Sequence, residues 1–158
     1  MGTRSRIGVM HGDKVKSVYC HWDGYLEHNG AILQDHYDGS KANHLVALGD
    51  LSSLGTQIGE KHPFSPHFDE GSRVAYDAAQ KAGWCTFYGR DRGETGCEWK
   101  VANTFDEFLE QADDCGAEFY YIMKDGVWYC GTTYENTHPL SKRLTLLSDA
   151  LESVKETA

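Results

Sequence analysis

Seven consecutive positions, Tyr19-Cys20-His21-Trp22-Asp23-Gly24-Tyr25, bring together a thiol, an imidazole, an indole, a carboxylate and two phenols. An imidazole beside a carboxylate can move protons, aromatic rings can stack on a planar ligand, and a glycine permits a turn that exposes them. A second dense stretch, Gly89-Arg90-Asp91-Arg92-Gly93-Glu94-Thr95-Gly96, brackets an aspartate with two arginines among three glycines. Guanidinium forks are well suited to carboxylate or phosphate, whereas an Asp91–arginine pair that only braces the loop is the plain structural alternative. The candidate ligand-binding set is therefore His21, Trp22, Asp23, Tyr25, Tyr88, Arg90, Asp91 and Arg92. No residue is assigned a catalytic role, because neither stretch matches a P-loop, a zincin helix or a paired-cysteine motif.

Both stretches follow extended segments. Ile7 and Val9 alternate with Arg6 and Gly8, His11-Gly12-Asp13 supplies turn residues, and Val15 to Tyr19 resumes the extended pattern, so an opening hairpin delivers the first cluster to a strand end. Trp84 to Tyr88 precedes the arginine stretch, and Cys97, Trp99 and Val101 alternate after it. The two loops are expected to meet at one end of a sheet, with His21, Asp23, Tyr25, Arg90 and Arg92 directed toward a common surface.

Between these strands the spacing turns helical from Asn29 to Tyr37, then again after Ser40, which is expected to cap a helix ending at Gly49. Asp50 to Gly55 has the form of a further capped turn. Residues 60–83 are an irregular excursion, broken by Pro63 and Pro66, with an alanine-rich helix over Arg73 to Ala82. Thr104-Phe105-Asp106-Glu107 is a capping box, and Phe105, Phe108, Leu109 and Ala112 mark its buried face. Glu118 to Thr132 is an aromatic hairpin turning at Asp125-Gly126. Leu140, Leu144, Leu147, Leu151 and Val154 predict a C-terminal helix. The expected fold is α+β: a single domain over 1–158, its mainly antiparallel sheet of hairpins carrying helices packed on one face.

Composition bounds the partners. The 158-residue chain carries 24 acidic against 15 basic residues, a formal charge of −9, which disfavours attraction to a phosphate backbone. The acids are dispersed as a solvated surface rather than gathered into a DNA-mimicking block. Five cysteines with no secretory or long apolar segment before them point to a reducing cytoplasm and no membrane, with most thiols packed as small hydrophobes. His62 and His67, beside the prolines, lack further ligands, so neither metal nor cofactor is expected.

Five stretches together carry a resemblance: Thr3 to Val9, Tyr19 to Tyr25, Leu48 to Gly55, Phe87 to Gly93 and Tyr120 to Gly131. In these the chain resembles a family of small uncharacterised accessory proteins of tailed bacteriophages and prophages, over nearly its whole length apart from the excursion. The resemblance carries over no catalytic residue. It implies work in the cytoplasm of an infected bacterium, countering host defence or redirecting host physiology. Three functions fit: binding a small anionic, nucleotide-like ligand or a host protein without turnover, which is preferred; a small hydrolase or lyase using His21/Asp23 with Arg90/Arg92; or an interface protein anchored by Trp22 and the tyrosines. The oligomeric state is left open.

Overall fold

The computed structural model describes residues 3–65, 69–133 and 144–157. Its centre is β1 (Ser5–His11), hydrogen-bonded antiparallel to β2 (Lys14–Cys20) and parallel to β6 (Phe119–Lys124). Six of the seven β1 residues are buried, as befits a strand covered on both faces. The hairpin turns at Gly12, whose φ of 62° favours glycine. β6 continues through Asp125-Gly126 into β7 (Val127–Thr132); both turn residues have positive φ, 52° and 79°, as a type I′ turn requires.

With β3 (Leu51–Ser53), β4 (Thr86–Phe87) and β8 (Thr145–Leu146), the full order is β4-β3-β2-β1-β6-β7-β8, and β5 (Lys100–Ala102) pairs β2 on the side where β3 touches only its last residue. Helices α1 (Ala31–His36), α2 (Gly39–Ala47), α3 (Glu70–Lys81), α4 (Tyr88–Arg92), α5 (Phe105–Asp114) and α6 (Leu147–Thr157) connect or flank these strands. This is the expected α+β class.

The helices do not share one face. Ile7, Val9, Val18 and Tyr121 pack with Leu33 and Leu45 of the first two helices and Leu147 of α6. Met10, Val15, Tyr120 and Ile122, from alternate positions of the same strands, pack with Phe108 of α5. Strand residues alternate between faces, so apolar residues at both parities demand cover on both sides. Thr104 caps α5 as expected, its Oγ1 accepting from Glu107 N at 3.1 Å, while Glu107 Oε2 reaches back to Asn103 N.

Three local expectations are revised. Asp50 caps no turn: its Oδ1 accepts from Tyr19 N at 2.9 Å, and Leu51–Ser53 becomes β3, parallel to β2. Asp38, not Ser40, caps α2 by accepting from Lys41 N at 2.8 Å, so the helix begins at Gly39 and Ser40 lies inside its first turn. The C-terminal leucines do not form a single helix. Leu144 packs with the α5 side, Thr145–Leu146 pairs β7 as β8, and Leu147 starts α6 on the other side; Leu140, like His67, lies outside the described residues. Within the excursion, α3 is capped by Asp69 and buries Ala79 alone.

Candidate functional site

The Tyr19–Tyr25 segment is held as a rigid extension of β2. His21 N and Trp22 N donate to Leu51 O and Ser52 O at 3.1 and 3.0 Å, continuing the pairing with β3. Asp23 then adopts a left-handed φ of 56°, and Gly24 N donates to Thr3 O at 2.7 Å. Tyr121 Oη donates to Gly24 O at 2.6 Å from below. Asn29, fully buried in a π-helical turn (Leu26–Gly30), donates to Ser5 Oγ and Trp22 O, both at 3.3 Å.

Alternation along β2 sends Cys20 into the helix-covered core and leaves Tyr19 and His21 on the α5 side. Tyr19 Oη lies 2.6 Å from His21 Nδ1. The hairpin register pairs Arg6 with Tyr19 and Ser5 with Cys20, so one step further Arg4 stands across from His21 on that same face. Arg4 bears electrostatically on both side chains: burial and then the Arg4 charge hold His21 below the ordinary imidazole value, and burial pushes Tyr19 up to about 12 against Arg4's opposing pull. The phenol therefore keeps its proton near neutrality. When it donates to Nδ1, the imidazole carries its own proton on Nε2.

Tyr88 completes the face. Its backbone N donates to Asp50 O at 3.2 Å, and its side chain hydrogen-bonds that of Ser52. Burial raises its pKa. Arg4, Tyr19, His21, Ser52 and Tyr88 are all partly exposed. Asp50 sits alongside with one oxygen on Tyr19 N, and burial raises its pKa as well. At the rim, Trp22 stands edge-on to His21 at 4.7 Å and is 43% exposed. The face thus offers a guanidinium, the Nε2–H of an imidazole that Tyr19 orients, and the one hydroxyl proton that the Ser52–Tyr88 pair leaves over, all able to donate to an anion.

The arginine stretch is arranged differently from the expectation. Tyr88–Arg92 forms the short helix α4, ended by Gly93 at φ 77°. Arg90 does not face a ligand surface: Nε donates to Asp91 Oδ1 (3.0 Å), Nη1 to Ile58 O and Gly59 O (3.0 and 3.1 Å), and Nη2 to Cys85 O and Asp91 Oδ2 (3.0 and 3.2 Å). These five bonds match the guanidinium's full donor set. Asp91 is buried and also accepts from His62 N at 3.1 Å and Phe87 N at 2.8 Å. Arg90 and Asp91 are therefore a brace that fastens residues 58–62 to α4, and they leave the candidate ligand set.

Arg92 stays at the surface, 3.5 Å from Glu94, with its guanidinium over the Phe64 ring at 5.1 Å. Of the five residues expected to share one surface, only His21 lies beside β3, joined there by Trp22 and Tyr88 of the wider candidate ligand set. Tyr25 instead lies against His28 at 6.0 Å, and the Asp23 carbonyl accepts from Asn29 N while its backbone makes the turn. Arg4, Tyr19 and Ser52 were absent from the expected set. The signal for Arg4 was present in the hairpin register once the turn is set at Gly12-Asp13.

All five cysteines are free; burial raises Cys20 to about 12 and also raises Cys85. Among the described residues no group of three or more His, Cys, Asp or Glu side chains could hold a metal ion, and no helix is long and apolar enough to cross a membrane. Comparison with protein-family models, with curated proteins and with solved structures returns no match.

Proposed function

We propose that this protein binds a small anionic ligand, without turnover, on the face formed by Arg4, Tyr19, His21, Ser52 and Tyr88. The observation that carries this is the Tyr19–His21 hydrogen bond on a partly exposed face within electrostatic reach of Arg4. A cation with neighbouring hydrogen-bond donors is the usual chemistry for a carboxylate or phosphate. The chain's net charge of −9 makes such a local positive point more selective for a ligand than for a polyanion.

Binding is favoured over hydrolase or lyase chemistry because the pieces for turnover are separated. The Cys20 thiol lies in the core with its pKa raised, and the Arg90 guanidinium is filled by internal acceptors. Capture of a signal or metabolite would suit the phage accessory role that the sequence resemblance implies. A second reading, occlusion of a host protein, is supported by the exposed rings of Trp22 and Tyr25 at 43% and 37%.

Native mass spectrometry of the protein recovered from bacterial cytoplasm, before and after dialysis, tests the proposal. A small anionic adduct that Arg4→Ala loses while its unfolding midpoint stays within a degree or two is expected, about the shift of a sub-kcal/mol change. A stoichiometric host polypeptide with no small adduct would replace the ligand reading with the interface one.

A further inference from the structure

A cleft of about 330 Å³ is lined by Phe64, Ser65, Asp91 and Arg92, and its Phe64 packs against Tyr88 of the anion face. Tyr88 connects the two. Its hydroxyl belongs to the Ser52 cluster, while its ring lies 5.5 Å from that of Phe64 at an interplanar angle of 34°. Arg92 places its guanidinium 5.1 Å from the Phe64 ring centre. One aromatic ring, Phe64, and a planar cation, Arg92, therefore border a small recess, and the Tyr88 ring behind Phe64 links it to the anion face.

We infer that the ligand is a nucleoside monophosphate, its phosphate held by Arg4, Ser52 and the His21 imidazole that Tyr19 orients, and its base seated in the cleft against Phe64 and Arg92. This rests on the anion-binding proposal and adds the planar half of the ligand. A base presents a flat π-face, which stacks on phenyl rings and on guanidinium planes regardless of its hydrogen-bond pattern. Arg92 can yield its place on the ring, since its side chain is 55% exposed and that of its salt-bridge partner Glu94 is 46% exposed. Displaced, it can cover the outer face of the base. Arg90 and Asp91 cannot move in this way, because their bonds to residues 58–62 and to Phe87 fix them, and Asp91 is a fixed part of the cleft's lining. The volume lies at the lower end for small-ligand pockets and suits one base rather than two.

The test is a calorimetric titration of the whole protein with ribose 5-phosphate and with AMP, GMP, CMP and UMP. At least one nucleotide is expected to bind about ten-fold more tightly than ribose 5-phosphate, the gain from one base–aromatic stack. Phe64→Ala should erase that gain and leave ribose 5-phosphate affinity unchanged, Phe64→Trp should retain it, and Arg4→Ala should weaken every ligand. Equal affinity for ribose 5-phosphate and all four nucleotides would overturn the base subsite while sustaining the anion face. Failure of all five to bind would overturn both.

Discussion

Arg90 and Asp91, adjacent in sequence, form a two-pronged ion pair in which Nε and Nη2 of the arginine meet the two carboxylate oxygens at 3.0 and 3.2 Å. The Asp91 side chain is fully buried and the Arg90 side chain is 14% exposed. Removing one member of such a pair strands a buried charge. Arg90→Ala is therefore expected to destabilise the fold by about 3–5 kcal/mol, read by urea denaturation. Arg90→Lys should recover little, because one ammonium cannot replace a planar five-donor group. A loss below about 1 kcal/mol, the value of an exposed ion pair, would show that the brace does not exist in solution.

What could be read from the chain and what could not follow from the range of the interactions. The Gly12-Asp13 and Asp125-Gly126 turns and the Thr104 cap are set by residues within four positions of one another, and all three appear in the structure. Arg90 looked like a ligand fork because its acceptors at Ile58 and Gly59 are backbone carbonyls more than thirty residues away, which no side-chain pattern reveals. Asp50 looked like a helix cap for the same reason. Its partner is the distant Tyr19 amide, and a local propensity yields to a tertiary bond. The site was half visible: His21, Trp22 and Tyr88 announced themselves by type, whereas Arg4 is identified by its place opposite His21 in the hairpin.

The titration of His21 reports directly on that face. Burial and the Arg4 charge lower its pKa, and a phenol donating to Nδ1 favours the neutral ring. Arg4→Gln and Tyr19→Phe are each expected to move the His21 pKa upward, measured from the imidazole Cε1 proton by NMR. A bound phosphate should do the same in the unaltered protein, since an anion favours the charged ring. A pKa indifferent to both substitutions would separate His21 from Arg4 and Tyr19.

The same shift predicts a pH dependence of stability. Between the lowered folded value and the ordinary imidazole value of 6.5, the unfolded chain binds a proton that folded His21 refuses. Stability therefore rises with pH across that window; the contribution is complete above 6.5 and is lost as pH falls toward the folded value. Denaturation midpoints of the wild type and His21→Gln, compared between about pH 5 and 8, isolate this group from the other histidines. The wild type should lose more stability than His21→Gln on going down in pH, and parallel curves would remove the predicted coupling.

Gly24 tests whether the site depends on the close approach of the chain before β1. Its neighbours leave no room for a side chain: a Cβ there would sit 2.7 Å from Ser5 Cβ and 2.9 Å from both Arg4 C and Thr3 O. Two of these atoms are backbone, so the strain cannot be relieved by a rotamer change. Gly24→Ala must push residues 21–25 away from residues 3–5, weakening the Gly24 N–Thr3 O and Tyr121 Oη–Gly24 O hydrogen bonds. The expected cost is about 1–3 kcal/mol of stability, as for other overpacked positions. The separation of Arg4 from His21 should also raise the His21 pKa and lower ligand affinity. Gly12→Ala is the control: its φ of 62° makes alanine strained by about 1 kcal/mol, yet among the described residues nothing beyond its chain neighbours lies within 4 Å of the added methyl, and the site is untouched. If Gly24→Ala and Gly12→Ala lose similar stability and leave the His21 titration equally unchanged, the contact between the two segments does not shape the anion face.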